Sequence, residues 1–129
     1  SAALRVRDPG RATSLTTLAA RLGVEISVDV LGACVPAGPL LVSTLPGDSA
    51  ALWADEAAAA AGAVFDVSYD PWPTPLAAAA LRQGVTVIDG LDLLAGQAIG
   101  QVQLFTGSSV DFALLQAAGR DELRRRRLL

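Results

Sequence analysis

Residues 63–97 read AVFDVSYDPWPTPLAAAALRQGVTVIDGLDLLAGQ, and this stretch decides the fold. An apolar run at 64–67 predicts a short buried strand that ends near Tyr69. Pro71 and Pro73 follow, and because proline lacks a backbone donor, strand pairing cannot continue past them. The first element of the stretch is therefore a strand followed by a tight loop.

A helix and a second strand complete the stretch. Thr74 suits the N-cap and Pro75 the first helical position, while residues 76–82 are strong helix formers and Gly84 ends the helix. The apolar run at 85–88 predicts a second buried strand. The spacing therefore indicates a strand, crossover helix and strand unit.

Strands that are apolar on both faces and alternate with helices are typical of a parallel sheet covered by helices on both faces. Such α/β sheets bind ligands in the crevice outside the carboxyl ends of their strands. Four residues are expected to face that crevice: Tyr69, Asp70, Asp89 and Gly90.

Length and composition narrow the classes of protein. The 129 residues predict one domain, and the net charge of -3 argues against a nucleic-acid surface. No apolar run reaches the roughly 20 residues that a membrane span needs, and no signal peptide is evident, so we expect a soluble, cytoplasmic protein without a membrane partner. Cys34 is the single cysteine and histidine is absent, which predicts a structural thiol, no disulfide and no metal site.

The remaining elements follow from periodicity and turn residues. Strands are predicted at 2–6, 24–30 and 40–44, and leucine spacing predicts a helix over 13–22. An alanine-rich helix capped by Asp48 or Ser49 is expected to extend through Ala61.

Two closing helices are predicted at about 90–106 and 110–127, with no linker before them. The apolar stripe of the first contains Leu91, Leu94, Ala95, Ala98, Val102 and Phe105. The arginines at 124–127 are interpreted as a solvated helix end, which the helix dipole and nearby acidic residues stabilise.

Three motifs in register resemble the C-terminal half of the shikimate dehydrogenase family. They are DVSYDPWPTPL at 66–76, VTVIDGLDLL at 85–94 and AGQAIGQVQLFTG at 95–107. They match the family's D-x-x-Y-x-P-x-x-T-x-L turn and its G-L-x-M-L-x-x-Q-A helix. The resemblance implies a truncated C-terminal nucleotide-binding domain over 1–129, with a Rossmann-like parallel sheet that lacks the first βα unit and the N-terminal substrate domain.

The resemblance also implies a cofactor site in the first turn. Val6 to Ala12 matches the family segment N-R-T-x-x-R-A, in which Arg7 and Arg11 bind the 2′-phosphate of NADP. Val6 and Asp8 depart from the pattern. Asp8 is an alternative ligand for ribose hydroxyls, which would favour NAD, and the two arginines are otherwise solvated turn residues.

Further site residues are carried over from the family position by position. Thr44, Leu45, Gly90 and Leu93 are assigned to the cofactor, with Leu93 replacing the usual methionine beside the nicotinamide. Tyr69 and Gln97 are assigned to the substrate, shikimate or 3-dehydroshikimate.

The family's proton-transfer pair is a lysine and an aspartate of its N-terminal domain. All ten basic residues here are arginine. We therefore expect no catalytic residue in this chain, which alone should be inactive. The resemblance implies that the parent protein is an NADP-dependent shikimate dehydrogenase of aromatic amino acid biosynthesis. An NAD-dependent quinate or shikimate dehydrogenase and a non-catalytic nucleotide-binding module are the alternatives. An open edge at residues 2–6 is expected to favour a homodimer.

Overall fold

The computed structural model describes residues 1–127, which divide into two compact units. The first unit comprises residues 1–38, and the second begins at Pro39. Each contains parallel strands and helices, so the predicted α/β class with parallel pairing is confirmed. Within the described residues no helix is long and apolar enough to cross a membrane.

The first unit is a strand, helix and strand arrangement. Strand β1 (Ala2–Val6) pairs in parallel with β2 (Ile26–Val30), and helix α1 (Thr13–Arg21) connects them. A 3₁₀ helix at Pro9–Ala12 precedes α1. At the end of α1, Gly23 has a φ of 66°, a left-handed conformation that glycine adopts without steric cost.

The leucine face of α1 is only partly covered. Leu15, Leu18 and Leu22 are 49%, 47% and 67% exposed, whereas Ala19 is buried. The period of the leucines thus predicted a helix correctly, but these side chains do not form a core within the described residues.

The second unit contains a three-stranded parallel sheet in the order β3, β4, β5. These strands are Leu41–Ser43, Ala63–Asp66 and Thr86–Asp89. Their register aligns Ser43 with Asp66 and Asp66 with Asp89, so the three strands end side by side. This alignment creates one common carboxyl edge.

Helices α2 to α5 complete the second unit. They span Ala54–Ala59, Pro75–Arg82, Gly90–Thr106 and Phe112–Arg127. Val64 of β4 and Leu76 of α3 are fully buried, together with small alanines at positions 57, 58, 77, 79 and 80. The alanines allow close packing of α2 on α3, so the core is built from short side chains.

The alanine-rich helix begins later than predicted. Asp48 and Ser49 lie in a 3₁₀ helix, Gly47–Ala50, where the Ser49 hydroxyl donates to the Pro46 carbonyl at 2.7 Å. Helix α2 starts at Ala54 without a side-chain cap and ends at Ala59. The predicted cap was wrong because the polar side chain of Ser49 stabilises the preceding turn instead.

The predicted apolar stripe of α4 is buried only near its start. Leu91 and Ala95 are buried, whereas Leu94 is 44% and Phe105 is 81% exposed. A Cβ on Gly119 of α5 would lie 3.1 Å from the Leu91 side chain, which locates the close packing of α5 at the beginning of α4.

The described strands form two hydrogen-bonded sheets, one in each unit. Within the described residues β1 pairs only with β2, and β3 pairs only with β4. Each of these two strands therefore has one edge whose backbone groups no described strand satisfies.

Candidate functional site

Three buried polar residues mark the carboxyl edge of the second sheet. Ser43, Asp66 and Asp89 are 6%, 2% and 3% exposed, and each is the last residue of its strand. Burial of polar groups is costly unless they are hydrogen-bonded. Each of the three bonds to the loop or helix that follows it, so together they fix the chain segments at this edge.

Asp66 controls the loop after β4. Its Oδ2 accepts a hydrogen bond from the Thr74 hydroxyl at 2.6 Å, and its Oδ1 accepts from the Ser68 amide at 3.2 Å. Thr74 in turn caps α3 by accepting from the Ala77 amide at 3.1 Å. The predicted N-cap is present, and it is tied to the end of the strand that precedes the loop.

Asp89 caps α4 instead of facing an open crevice. It accepts from the Asp92 amide at 2.8 Å, and Asp92 reciprocates by accepting from the Asp89 amide at 3.0 Å. These two bonds form a capping box, and both carboxylates stabilise the positive end of the helix dipole. Asp89 was expected at the crevice, but its carboxylate is required by the helix start.

Arg120 of α5 reaches this capping box. Its Nη2 lies 3.2 Å from Oδ2 of Asp89 and 3.8 Å from Oδ1 of Asp92. The Asp89 side chain is 4% exposed and that of Arg120 is 37% exposed, so the ion pair is shielded on one side. The amide of Gln116 also donates to Asp92, which anchors α5 at a second point.

Gly90, the first residue of α4, is in close contact with Tyr69. A Cβ on Gly90 would overlap the Val67 carbonyl and lie 2.7 Å from Cδ1 of Tyr69. A glycine at position 90 is therefore required for the close approach of Val67 and Tyr69.

The ends of β3 and β4 are joined by a hydrogen bond. The Ser68 hydroxyl donates to the Leu45 carbonyl at 3.1 Å. Leu45 is half-buried and Thr44 is exposed. The structure therefore brings together the segments that carry Leu45, Tyr69 and Gly90.

Leu93 and Gln97 extend the site along α4. They follow Gly90 by three and seven positions, which locates all three on one helix face. Both side chains are exposed, Leu93 by 38%. This face offers an apolar side chain followed by a neutral amide.

Arg7 and Arg11 belong to the first unit, where Arg7 precedes the 3₁₀ helix and Arg11 lies within it. Both are exposed, and no residue between 1 and 127 forms an ion pair with either of them. The Asp8 carboxylate accepts from the Gly10 amide at 2.9 Å and caps this turn. The two guanidinium groups are thus accessible to an anion, whereas Asp8 already has a structural partner.

Cys34 is exposed, and its backbone carbonyl accepts two bonds from Arg5, at 3.1 Å from Nε and 2.7 Å from Nη2. Arg5 also forms an ion pair with Asp29 at 3.1 Å. The carbonyl of Cys34, not its thiol, makes the contact that holds this turn to β1.

Arg120, Gln116 and Asp92 are the site residues that the sequence analysis missed. The spacing of Asp89 and Asp92 carries a recognisable capping-box signal. No local signal identifies Arg120 as their partner, because it lies on a separate helix.

This edge offers binding groups without a free acid or base. The chain has no lysine or histidine, and Asp66 and Asp89 are buried and bonded. The described residues contain no group of three or more metal-ligating side chains. On α4, Leu93 offers an apolar surface and Gln97 an amide that is able to donate and accept hydrogen bonds.

Two curated relatives of this chain carry the same name. The chain is 34% identical over 111 residues to shikimate dehydrogenase (NADP(+)) of Methylobacterium radiotolerans, covering 78% of this chain and 37% of that protein. It is 31% identical over 103 residues to the Methanocella arvoryzae protein of the same name, covering 75% and 38%. The chain therefore spans little more than a third of these curated relatives. No family model matches it.

Solved structures agree. Mycobacterium tuberculosis shikimate dehydrogenase is 39% identical with a TM-score of 0.76, covering 90% of this chain and 45% of that one. A shikimate 5-dehydrogenase from Mycobacterium fortuitum is 38% identical with a TM-score of 0.77 and the same coverage. A shikimate dehydrogenase solved with NADP+ has a TM-score of 0.72 at 17% identity, a likeness of fold alone. The matched part of these proteins is their C-terminal half.

Proposed function

We propose that this chain, a homologue of the C-terminal half of shikimate dehydrogenases, is the nucleotide-binding part of an NADP-dependent shikimate dehydrogenase. The nicotinamide would supply a hydride to the carbonyl carbon of 3-dehydroshikimate while the oxygen gains a proton, or accept the hydride from the same carbon of shikimate while the oxygen loses one. The observation that carries the proposal is the shared carboxyl edge, where Tyr69 packs on Gly90 beside the Leu93 and Gln97 face of α4.

The residues of this chain would bind and orient. Arg7 and Arg11 supply guanidinium groups for a 2′-phosphate, since neither has a partner among the described residues. Thr44, Leu45, Gly90 and Leu93 would line the cofactor, and Leu93 offers an apolar surface to the nicotinamide. NADP is favoured over NAD because the Asp8 carboxylate already caps its own turn.

Tyr69 and Gln97 would contact the substrate hydroxyls. Because Gly90 has no Cβ, the Tyr69 ring packs directly against it. The exposed Gln97 amide is able to donate and to accept hydrogen bonds. Proton transfer is assigned to residues outside this sequence, because the chain has no lysine and its edge aspartates are bonded. We therefore expect the chain alone to be inactive. We also propose that the parent protein is cytoplasmic.

The test uses the full-length protein that carries these residues. It should oxidise shikimate with NADP+, and Gln97→Ala should raise KM for shikimate about tenfold because a hydrogen bond to the substrate is lost. Gln103→Ala, on another face of α4, is the matched control and should leave KM unchanged. Absence of NADP-linked activity in the folded protein, or equal effects of both variants, would refute the assignment.

Homodimerisation through the open edge of β1 is a separate part of the proposal. It is supported by the single described partner of β1, because unpaired strand edges template association. Sedimentation of the chain at several concentrations tests it, and a monomer at all of them would contradict it.

A further inference from the structure

A cavity lies between the loop after β4, the start of α4 and helix α5. Its volume is about 170 Å³. The lining consists of two aromatic rings, two leucines and two arginines, namely Tyr69, Trp72, Leu91, Leu123, Arg120 and Arg124. Sites for drug-sized molecules occupy roughly 300 to 1,000 Å³, so this cavity suits a single small ring.

Arg120 is held in a fixed orientation at this cavity. Two ion pairs, to Asp89 at 3.2 Å and Asp92 at 3.8 Å, both use its Nη2. A guanidinium carries five N–H donors in a planar fork, so these contacts engage only part of it. The Asp89 side chain behind it is 4% exposed and keeps the fork in place, which lowers the entropy lost on binding a ligand.

Arg124 supplies a second, more exposed positive charge. It lies one helical turn beyond Arg120 and pairs with Asp121 at 2.9 Å, where both side chains are mostly exposed. Exposed ion pairs of this type contribute little to stability. Arg124 is thus able to exchange Asp121 for an anion in the cavity at small cost.

We propose that this cavity binds a small planar ring that carries one carboxylate. The aromatic and leucine walls accept the ring, and the carboxylate lies between Arg120 and Arg124. Hydrogen bonds from the two guanidinium groups to a carboxylate are charge-assisted and therefore stronger than hydrogen bonds between neutral groups. The cavity shares Tyr69 with the proposed substrate contacts, but it involves neither the arginines of the first unit nor the Leu93 and Gln97 face of α4, so benzoate binding is tested separately from dinucleotide binding.

Benzoate is the probe, and Trp72 is the reporter. The sequence contains two tryptophans, Trp53 and Trp72, so a Trp53→Phe variant reports from the cavity alone. Benzoate should change its fluorescence saturably with a Kd in roughly the millimolar range, as expected for so small a ligand. Benzyl alcohol, which has the ring without the charge, should bind at least tenfold more weakly.

Two neighbouring arginines provide a matched comparison in this background. Arg124→Ala removes a cavity guanidinium and should weaken benzoate about tenfold. Arg125→Ala removes an equally exposed arginine that pairs with Glu122 outside the cavity, and should change the affinity less than twofold. Circular dichroism checks that both variants remain folded. No saturable response to benzoate, or equal losses in the two variants, would overturn the proposal.

Discussion

The Thr74 hydroxyl donates a hydrogen bond to Oδ2 of Asp66 at 2.6 Å, and both residues are almost fully buried. Thr74 also accepts a hydrogen bond from the Ala77 amide, so one hydroxyl both binds the last residue of β4 and caps α3. The loop between them carries Tyr69 and Trp72, so its geometry depends on this pair.

Thr74→Val should lower the free energy of unfolding by about 2 to 4 kcal/mol, because it removes the helix cap and one partner of a buried carboxylate. Thr74→Ser keeps the hydroxyl and should retain most of the stability. Urea denaturation of both variants measures the difference. Equal stabilities for valine and serine would show that the hydrogen bonds contribute nothing.

Gly90→Ala should destabilise the protein by about 3 kcal/mol, since the new methyl group overlaps the Val67 carbonyl and crowds Tyr69. Gly96→Ala lies in the same helix with nothing within 4 Å, and should be stabilising by up to about 1 kcal/mol. The two thermal midpoints should move in opposite directions, and a shift of the same sign would contradict the packing described.

Arg120→Ala should cost about 2 kcal/mol of unfolding free energy because it leaves the buried Asp89 carboxylate without its cation. Arg82→Ala breaks an exposed pair with Asp55, in which the side chains are 61% and 74% exposed, and should cost less than about 1 kcal/mol. Denaturation in low and high salt provides the measurement. Similar losses for the two variants would mean that burial of Asp89 is unimportant.

Arg7→Ala in the full-length protein should weaken NADP roughly tenfold to a hundredfold, because a charge-assisted contact to the 2′-phosphate is worth about 1.5 to 3 kcal/mol. NAD lacks that phosphate and should be nearly unaffected. Asp8→Asn preserves a capping side chain while removing a negative charge, so it should strengthen NADP binding. Dissociation constants for both cofactors test this, and equal losses of NAD and NADP would favour the NAD-linked alternative.

The pKa of Glu122 is lowered because the Arg126 side chain donates a hydrogen bond to it and the charge of Arg125 adds to the effect. A lowered pKa means that the interaction is present above the unfolded-state pKa and is lost as pH falls through the folded-state pKa. Arg126→Gln should therefore raise the pKa of Glu122 in an NMR titration. Arg124→Gln should not, since Arg124 pairs with Asp121.

Much of the local structure was predictable from residues that are close in sequence. The cap at Thr74, the strands around 64–66 and 86–88, and the helix that starts beside Gly90 all follow from apolar runs and capping residues. The family resemblance was also readable from three motifs, and the relatives confirm it. The roles of Arg7, Tyr69 and Gln97 stay predictions.

The errors arose where several local solutions compete. Asp48 and Ser49 are good caps by residue type, but the chain used Ser49 to close a 3₁₀ turn and began α2 at Ala54. The leucines of α1 marked a helix, yet the period of a sequence does not report whether another element covers its apolar face.

Sequence by itself determined which segments become strands and helices and where the site residues fall along them, because these signals act within a few positions. Only the tertiary structure decided that Arg120 pairs with Asp89 and that the loop of Val67 and Tyr69 packs against Gly90. It also decided how the described strands pair into sheets. These features join residues on separate elements, and their energies depend on burial and distance, which no local pattern encodes.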